Sequence, residues 1–143
     1  MPSRSDWLLR FIAGTDHYDG WIDRIRVMKG MFLFQEDGHA PRWEVDYKFR
    51  PYDYGPFTEE IYRDAMLLIE RGLVAEAVEA KAYRVTEAGR RYLSTVQFDP
   101  KPLAALIELR VLVSDLSFRE LLKTVYQKHP ASAARSIAKD VLL

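Results

Sequence analysis

Near the start of the chain, apolar residues recur at helical spacing. Trp7, Leu8, Phe11 and Ile12 fall on one stripe, with Ser3 or Ser5 placed to cap it and Gly14 to end it. A turn over Thr15-Asp16-His17-Tyr18-Asp19-Gly20 leads to a second predicted helix, residues 21–35. Ile22, Ile25, Met28, Phe32 and Leu33 face inward there, and Arg24, Arg26 and Lys29 lie off the stripe. After the loop Glu36-Asp37-Gly38-His39-Ala40-Pro41 the period changes. Trp43, Val45, Tyr47 and Phe49 alternate with Glu44, Asp46, Lys48 and Arg50, which predicts a strand with one buried face, ended by Pro51. Tyr52-Asp53-Tyr54-Gly55-Pro56 is a tight connection. A third helix opens at Phe57 or Thr58, turns Ile61, Ala65, Leu68 and Ile69 inward, and stops at Gly72. Strands over 73–78 and 82–85, joined by Glu79-Ala80-Lys81, form a hairpin with which the 43–50 strand is expected to pair. Thr86 caps a helix over 87–95. Asp99-Pro100-Lys101-Pro102 breaks the chain. Beyond it the pattern predicts a helix over 103–113, a second opened by a Ser117/Glu120 capping box and running to about Lys128, and a last short helix after Pro130.

This order of elements gives an α+β fold: a winged helix over residues 1–98, with a helical bundle, a small antiparallel sheet and a β-hairpin wing, and a C-terminal helical extension over 99–143 packed on it. One departure is expected. A winged helix usually has a strand between its first two helices, whereas here a strand and a loop separate the second helix from the third. The short turn of a helix-turn-helix is then missing, and the docking geometry of that motif does not carry over.

Composition narrows the function classes. The 143 residues suit one domain with an annex, and 48% hydrophobic and 13% aromatic residues supply a packed core. Lys+Arg and Asp+Glu are both 21, so the formal net charge is zero, where a nucleic-acid binder is usually basic unless it relies on a local patch. The absence of cysteine excludes disulfides and thiolate metal sites and fits a reducing compartment. The apolar stretch near Trp7 is too short and too interrupted by charge for a signal peptide or a membrane span, so a cytoplasmic chain is expected. His17, His39 and His129 are far apart, and no nucleophile elbow, phosphate loop or dinucleotide glycine pattern occurs. A non-enzyme without metal or cofactor is therefore expected.

Several segments carry a resemblance. Tyr54-Gly55-Pro56-Phe57 precedes an acid-capped helix, then Gly72-Leu73-Val74 and Tyr83-Arg84-Val85-Thr86-Glu87-Ala88-Gly89. Together these resemble the bacterial and archaeal YwgA-like proteins and, more distantly, the Panacea domain of SocA-type antitoxins. Met28-Lys29-Gly30-Met31-Phe32-Leu33 is similar to the lysine-centred signature of that family, with Lys29 as the matching lysine and Gly30 where an apolar helix former is expected. Leu122-Lys123-Thr124-Val125-Tyr126-Gln127-Lys128-His129-Pro130, with Ser136, is similar to its closing Tyr…Pro…Ser pattern. The resemblance implies a winged-helix scaffold and no settled activity.

Two functions follow. The first is a winged-helix regulator that binds double-stranded DNA through Arg24, Arg26, Lys29, Lys48, Arg50, Tyr54, Lys81, Arg84 and Arg90. Lys81 and Arg84 would meet phosphates or a minor groove, and the bases of the second helix would grip the backbone. The third helix is excluded from the groove, because Glu59, Glu60, Asp64 and Glu70 outnumber Arg63 and Arg71 on its outward side. The alternative is a protein–protein interaction module, antitoxin-like or an accessory subunit of a defence system. A continuous positive stripe on the folded chain favours DNA, and mixed charge favours a protein partner. Trp43, Tyr47 and Phe49 are expected in the core, while Tyr52 and Tyr54 are more open. The apolar load of Leu106, Leu109, Leu112, Val113, Leu121, Leu122, Val125 and Tyr126 predicts a homodimer with the annex at its interface.

Overall fold

The computed structural model describes residues 1–133. The last predicted helix therefore lies largely outside the described residues, as does Ser136; within them, only a short 3-10 turn, Pro130–Ala133, follows Pro130. Local signals set the helix starts. Ser3 opens α1 (Arg4–Ala13) with a full capping box: its hydroxyl accepts from the Asp6 N–H at 3.1 Å, and the Asp6 carboxylate accepts from the Ser3 N–H at 2.9 Å. Thr58, Thr86 and Asp99 cap α3 (Glu59–Glu70), α4 (Glu87–Leu93) and α5 (Pro100–Asp115), and a Ser117–Glu120 capping box opens α6 (Phe118–Lys128).

The second helix starts later than its apolar pattern predicts. Ile22–Asp23 is a short strand, β1, and α2 runs Arg24–Glu36. The Asp23 carboxylate accepts from the Arg26 N–H at 2.9 Å, so capping chemistry places the helix start at Arg24 rather than Trp21. β1 pairs antiparallel with β5 (Ala82–Val85), Ile22 opposite Tyr83, and β5 pairs with β4 (Val74–Ala77), giving the sheet order β1-β5-β4.

The third strand of that sheet is thus β1 and not residues 43–50. Arg42, Trp43 and Glu44 form a turn with Trp43 88% exposed, so Trp43 is not a core residue. Burial still alternates from Val45 to Phe49, but no ladder forms. Gln35 takes the place of a partner strand: its amide carbonyl accepts from the Tyr47 N–H at 2.7 Å and its amide N–H donates to the Tyr47 carbonyl at 2.8 Å. The Lys48 N–H donates to Glu60 at 2.7 Å. Side chains satisfy the backbone here, so the period-two pattern needs no sheet. Only β2 (Arg50–Tyr52) is a strand, and it folds back on β3 (Gly55–Phe57) as a separate hairpin.

One core runs through the chain. α1 is buried nearly all round (Trp7, Leu8, Leu9, Phe11, Ile12), as is the middle of α2, where Val27 to Phe34 has no exposed residue. The crossing of these helices requires Gly30: a Cβ there would lie 2.2 Å from Cζ of Phe11. Leu106, Val113, Leu121, Leu122, Val125 and Tyr126 join the same core. Two arginines bind α5 to the rest. Arg110 donates to the Phe11 carbonyl at 3.0 Å, and Arg26 closes the end of α5 by donating to the carbonyls of Val113 and Leu116, each at 2.8 Å. The leucine stripe that suggested a dimer interface is used within one chain; of its residues only Leu112 is exposed. Among the described residues, no helix is long and apolar enough to cross a membrane.

Candidate functional site

The predicted nucleic-acid contacts do not form one surface. Lys29 is buried, 3% exposed, and its ammonium donates to the Pro56 carbonyl at 3.1 Å. Arg26 is held by Asp23 at 2.6 Å and by the α5 carbonyls. Arg24 lies 3.5 Å from Glu76, with its guanidinium 5.1 Å from the centre of the Tyr62 ring. These α2 bases do structural work, so α2 offers no phosphate grip. Lys48 pairs with Asp46 at 2.8 Å, Arg50 with Glu59 at 2.9 Å, and Arg90 with Asp19 at 2.9 Å. Tyr54 is open and lies edge-on to Phe118, ring centres 5.8 Å apart. Lys81 and Arg84, on the β4–β5 hairpin, are the two exposed predicted bases without an ion pair among the described residues. Lys81 sits at φ +52°, as the tight turn demands. The surface is mixed in charge.

α3 differs from its expected form at two of its acids. Asp64 is buried rather than outward. It accepts from Arg4 at 2.8 and 3.2 Å and from the Tyr47 hydroxyl at 2.7 Å. Burial, reinforced by the Asp64 carboxylate, pushes the Tyr47 phenol well above its ordinary value. Glu60 is taken up by Arg4 and by the Lys48 N–H, which together hold its carboxyl below the usual range. Left facing solvent are Glu59, Arg63, Met66, Leu67 and Glu70, with Met66 60% and Leu67 53% exposed. These two apolar side chains were not singled out from the sequence, although the run Met66-Leu67-Leu68-Ile69 is wider than the stripe that one buried face needs. Val78, at the tip of the β4–β5 hairpin, is exposed too.

Below the β2–β3 hairpin lies a cavity of about 180 Å³, lined by Ile25, Met28 and Lys29 of α2, by the hairpin and by Tyr62 of α3. Burial pulls the Lys29 amine down to about 7. The hairpin comes this close because Gly55, at φ +91°, has no Cβ; one would lie 2.9 Å from Cε1 of Tyr126 and 3.5 Å from Cε of Lys29. The Tyr-Gly-Pro turn and the lysine, far apart in sequence, are therefore one structural unit.

The histidines do not come together. His129 pairs with Asp37 at 2.7 Å beside Lys128, and no cluster of His, Asp and Glu that could hold a metal occurs among the described residues. Comparison with known proteins finds no matching family model, no similar curated protein and no similar solved structure.

Proposed function

We propose that this chain is a protein-binding module on a winged-helix scaffold. The order α1-β1-α2-α3-β4-β5 with sheet order β1-β5-β4 supports the scaffold, since β1 stands between the first two helices as a winged helix requires. Residues 37–58 are an insertion where a helix-turn-helix has its short turn. The observation that carries the function is the outer side of α3. The helix that would enter a DNA groove presents Met66 and Leu67 beside Glu59 and Glu70. Apolar side chains ringed by charges of both signs suit a protein partner, and a phosphate backbone would meet acids there. The resemblance to YwgA-like and Panacea proteins supports the scaffold and carries no activity.

A second reading, duplex DNA held by the wing, rests on Lys81 and Arg84 being unpaired. Two phosphate contacts predict a slope of log affinity against log salt of about −2 at most. Fluorescence anisotropy with a labelled duplex at low salt separates the two. The expected result is no binding, or weak binding with that shallow slope removed by Lys81→Ala/Arg84→Ala. In parallel, affinity capture from the native host is expected to retain a partner that Met66→Glu/Leu67→Glu loses. Tight duplex binding with a steep salt slope overturns the proposal.

A further inference from the structure

Beyond the proposed partner surface, the cavity under the β2–β3 hairpin joins a buried amine and aromatic walls. Tyr52 and Phe57 have ring centres 5.0 Å apart, and Phe57 and Tyr62 lie edge-on at 5.5 Å. Arg50 covers this cluster from outside, 5.3 Å from the Tyr52 ring centre and 5.4 Å from that of Phe57. The Lys29 ammonium finds one acceptor, the Pro56 carbonyl, for its three N–H groups. Asp53 lines the same cavity but is exposed and makes no ion pair with Lys29. Among the described residues, the charged form of Lys29 thus has a single acceptor and no counter-ion.

We propose that this cavity binds a small aromatic monocarboxylate, its carboxylate taken by Lys29 and its ring held among Tyr52, Phe57 and Tyr62. Size fits: about 180 Å³ is slightly more than the roughly 150 Å³ cavity that accommodates benzene. Charge fits as well, since one cation matches one carboxylate. The aromatic walls favour a flat ring, which packs edge-on or offset against its neighbours. Tyr52, Asp53 and Tyr54 line the cavity and are exposed at the turn of the hairpin, so this turn would provide the entry.

Binding carries a proton with it. The ionisable groups facing Lys29 are Tyr52, Asp53 and Tyr54 from the hairpin, Tyr62 from α3 and Tyr126 from α6. Burial pushes the Tyr62 phenol up. With the free amine near 7, a carboxylate ligand draws the ammonium form and takes up a proton above that pH.

Isothermal calorimetry of the full chain with sodium benzoate tests this, with benzyl alcohol as the neutral probe. Benzoate is expected to bind with a dissociation constant on the order of 0.1–1 mM near pH 6.5. Binding is expected to weaken about twentyfold by about pH 8.5. Two buffers of different ionisation enthalpy should report proton uptake approaching one per benzoate at the higher pH. Lys29→Met should lose benzoate and keep benzyl alcohol. No benzoate binding in the millimolar range, equal affinity at the two pH values, or undiminished binding by Lys29→Met overturns the proposal. The calorimetry on the unaltered chain decides the question even where the variant folds poorly, and no partner protein enters it.

Discussion

Replacing Lys29 by Met removes a buried titration and leaves a side chain of similar length and volume. The unfolded amine titrates near 10.5 and the folded one near 7. Between these values the unfolded chain binds the proton and the folded chain does not, so stability rises with pH throughout that window. The cost of burying Lys29 is then largest below pH 7 and vanishes above about 10.5. From pH 7 to pH 9, the linkage relation with these two values gives a gain of about 2 kcal/mol, approaching 1.4 kcal/mol per unit as the folded amine becomes fully neutral. Arg110, lowered to about 10, gains stability only above that value, and Tyr47, raised, loses it only above its unfolded value of 10. The window from 7 to 9 therefore isolates Lys29 among the strongly shifted groups. Urea unfolding at the two pH values is the assay. The unaltered chain should gain about 2 kcal/mol, or about 7 °C in a thermal scan at this chain length, and Lys29→Met should lose most of that gain. Equal stability of the unaltered chain at both pH values, or the full gain persisting in Lys29→Met, refutes the reasoning.

Two further substitutions test the packing. Asp64→Ala strands the buried Tyr47 hydroxyl and releases Arg4, which is exposed enough to rehydrate; a loss of about 2–3 kcal/mol is expected by urea unfolding, and a loss below about 0.5 kcal/mol counts against the network. Gly30→Ala ought to gain about 1 kcal/mol of helix propensity, yet its Cβ meets the buried Phe11 ring at 2.2 Å. A net destabilisation of about 1–3 kcal/mol is expected in thermal scans, and a stabilised variant would show that the α1–α2 crossing is looser than described.

What was legible in the sequence was local chemistry. Ser3, Thr58, Thr86 and the Ser117–Glu120 pair cap helices because each needs only neighbours in the chain. β1 was not legible, because two residues carry no period, and Ile22 extends a helical stripe as readily as it fills a strand. At 43–50 the alternation gave the burial of Val45 and Tyr47, but not the partner. Whether an extended segment joins a sheet depends on distant groups, here the Gln35 amide and Glu60. Lys29 was misread for a related reason. Placing it off an apolar stripe assumes that α2 has a solvent side, and Val27 to Phe34 has none. The unbroken apolar character of Met31-Phe32-Leu33-Phe34 was the available sign of a central helix. The site residues depend most on which charges meet, and pairs such as Arg4–Asp64 and Arg90–Asp19 join segments that no local pattern connects.

On the proposed reading, those pairings also set which partners a chain of balanced composition would accept. Glu59 is shared by Arg50 and Arg63, and Glu60 by Arg4 and the Lys48 N–H, so groups from α1, from residues 48–50 and from α3 itself neutralise its first turn. A helix N-terminus, which attracts phosphate where it is free, is thereby occupied by its own acids. Farther along α3, Met66 and Leu67 are half exposed, and completing their burial is worth about 1–1.5 kcal/mol each. About 2–3 kcal/mol is too little to hold a complex alone and enough to centre the proposed interface, in which Arg63 and Glu70 would choose the partner by charge. On this scale Met66→Glu/Leu67→Glu should weaken a specific complex at least a hundredfold, since it forfeits the burial and adds two desolvated acids. Lys81→Ala/Arg84→Ala, on the β4–β5 hairpin, should leave that complex within about threefold. The reverse ranking of the two double variants would place the working surface on that hairpin and remove the reason for assigning it to α3.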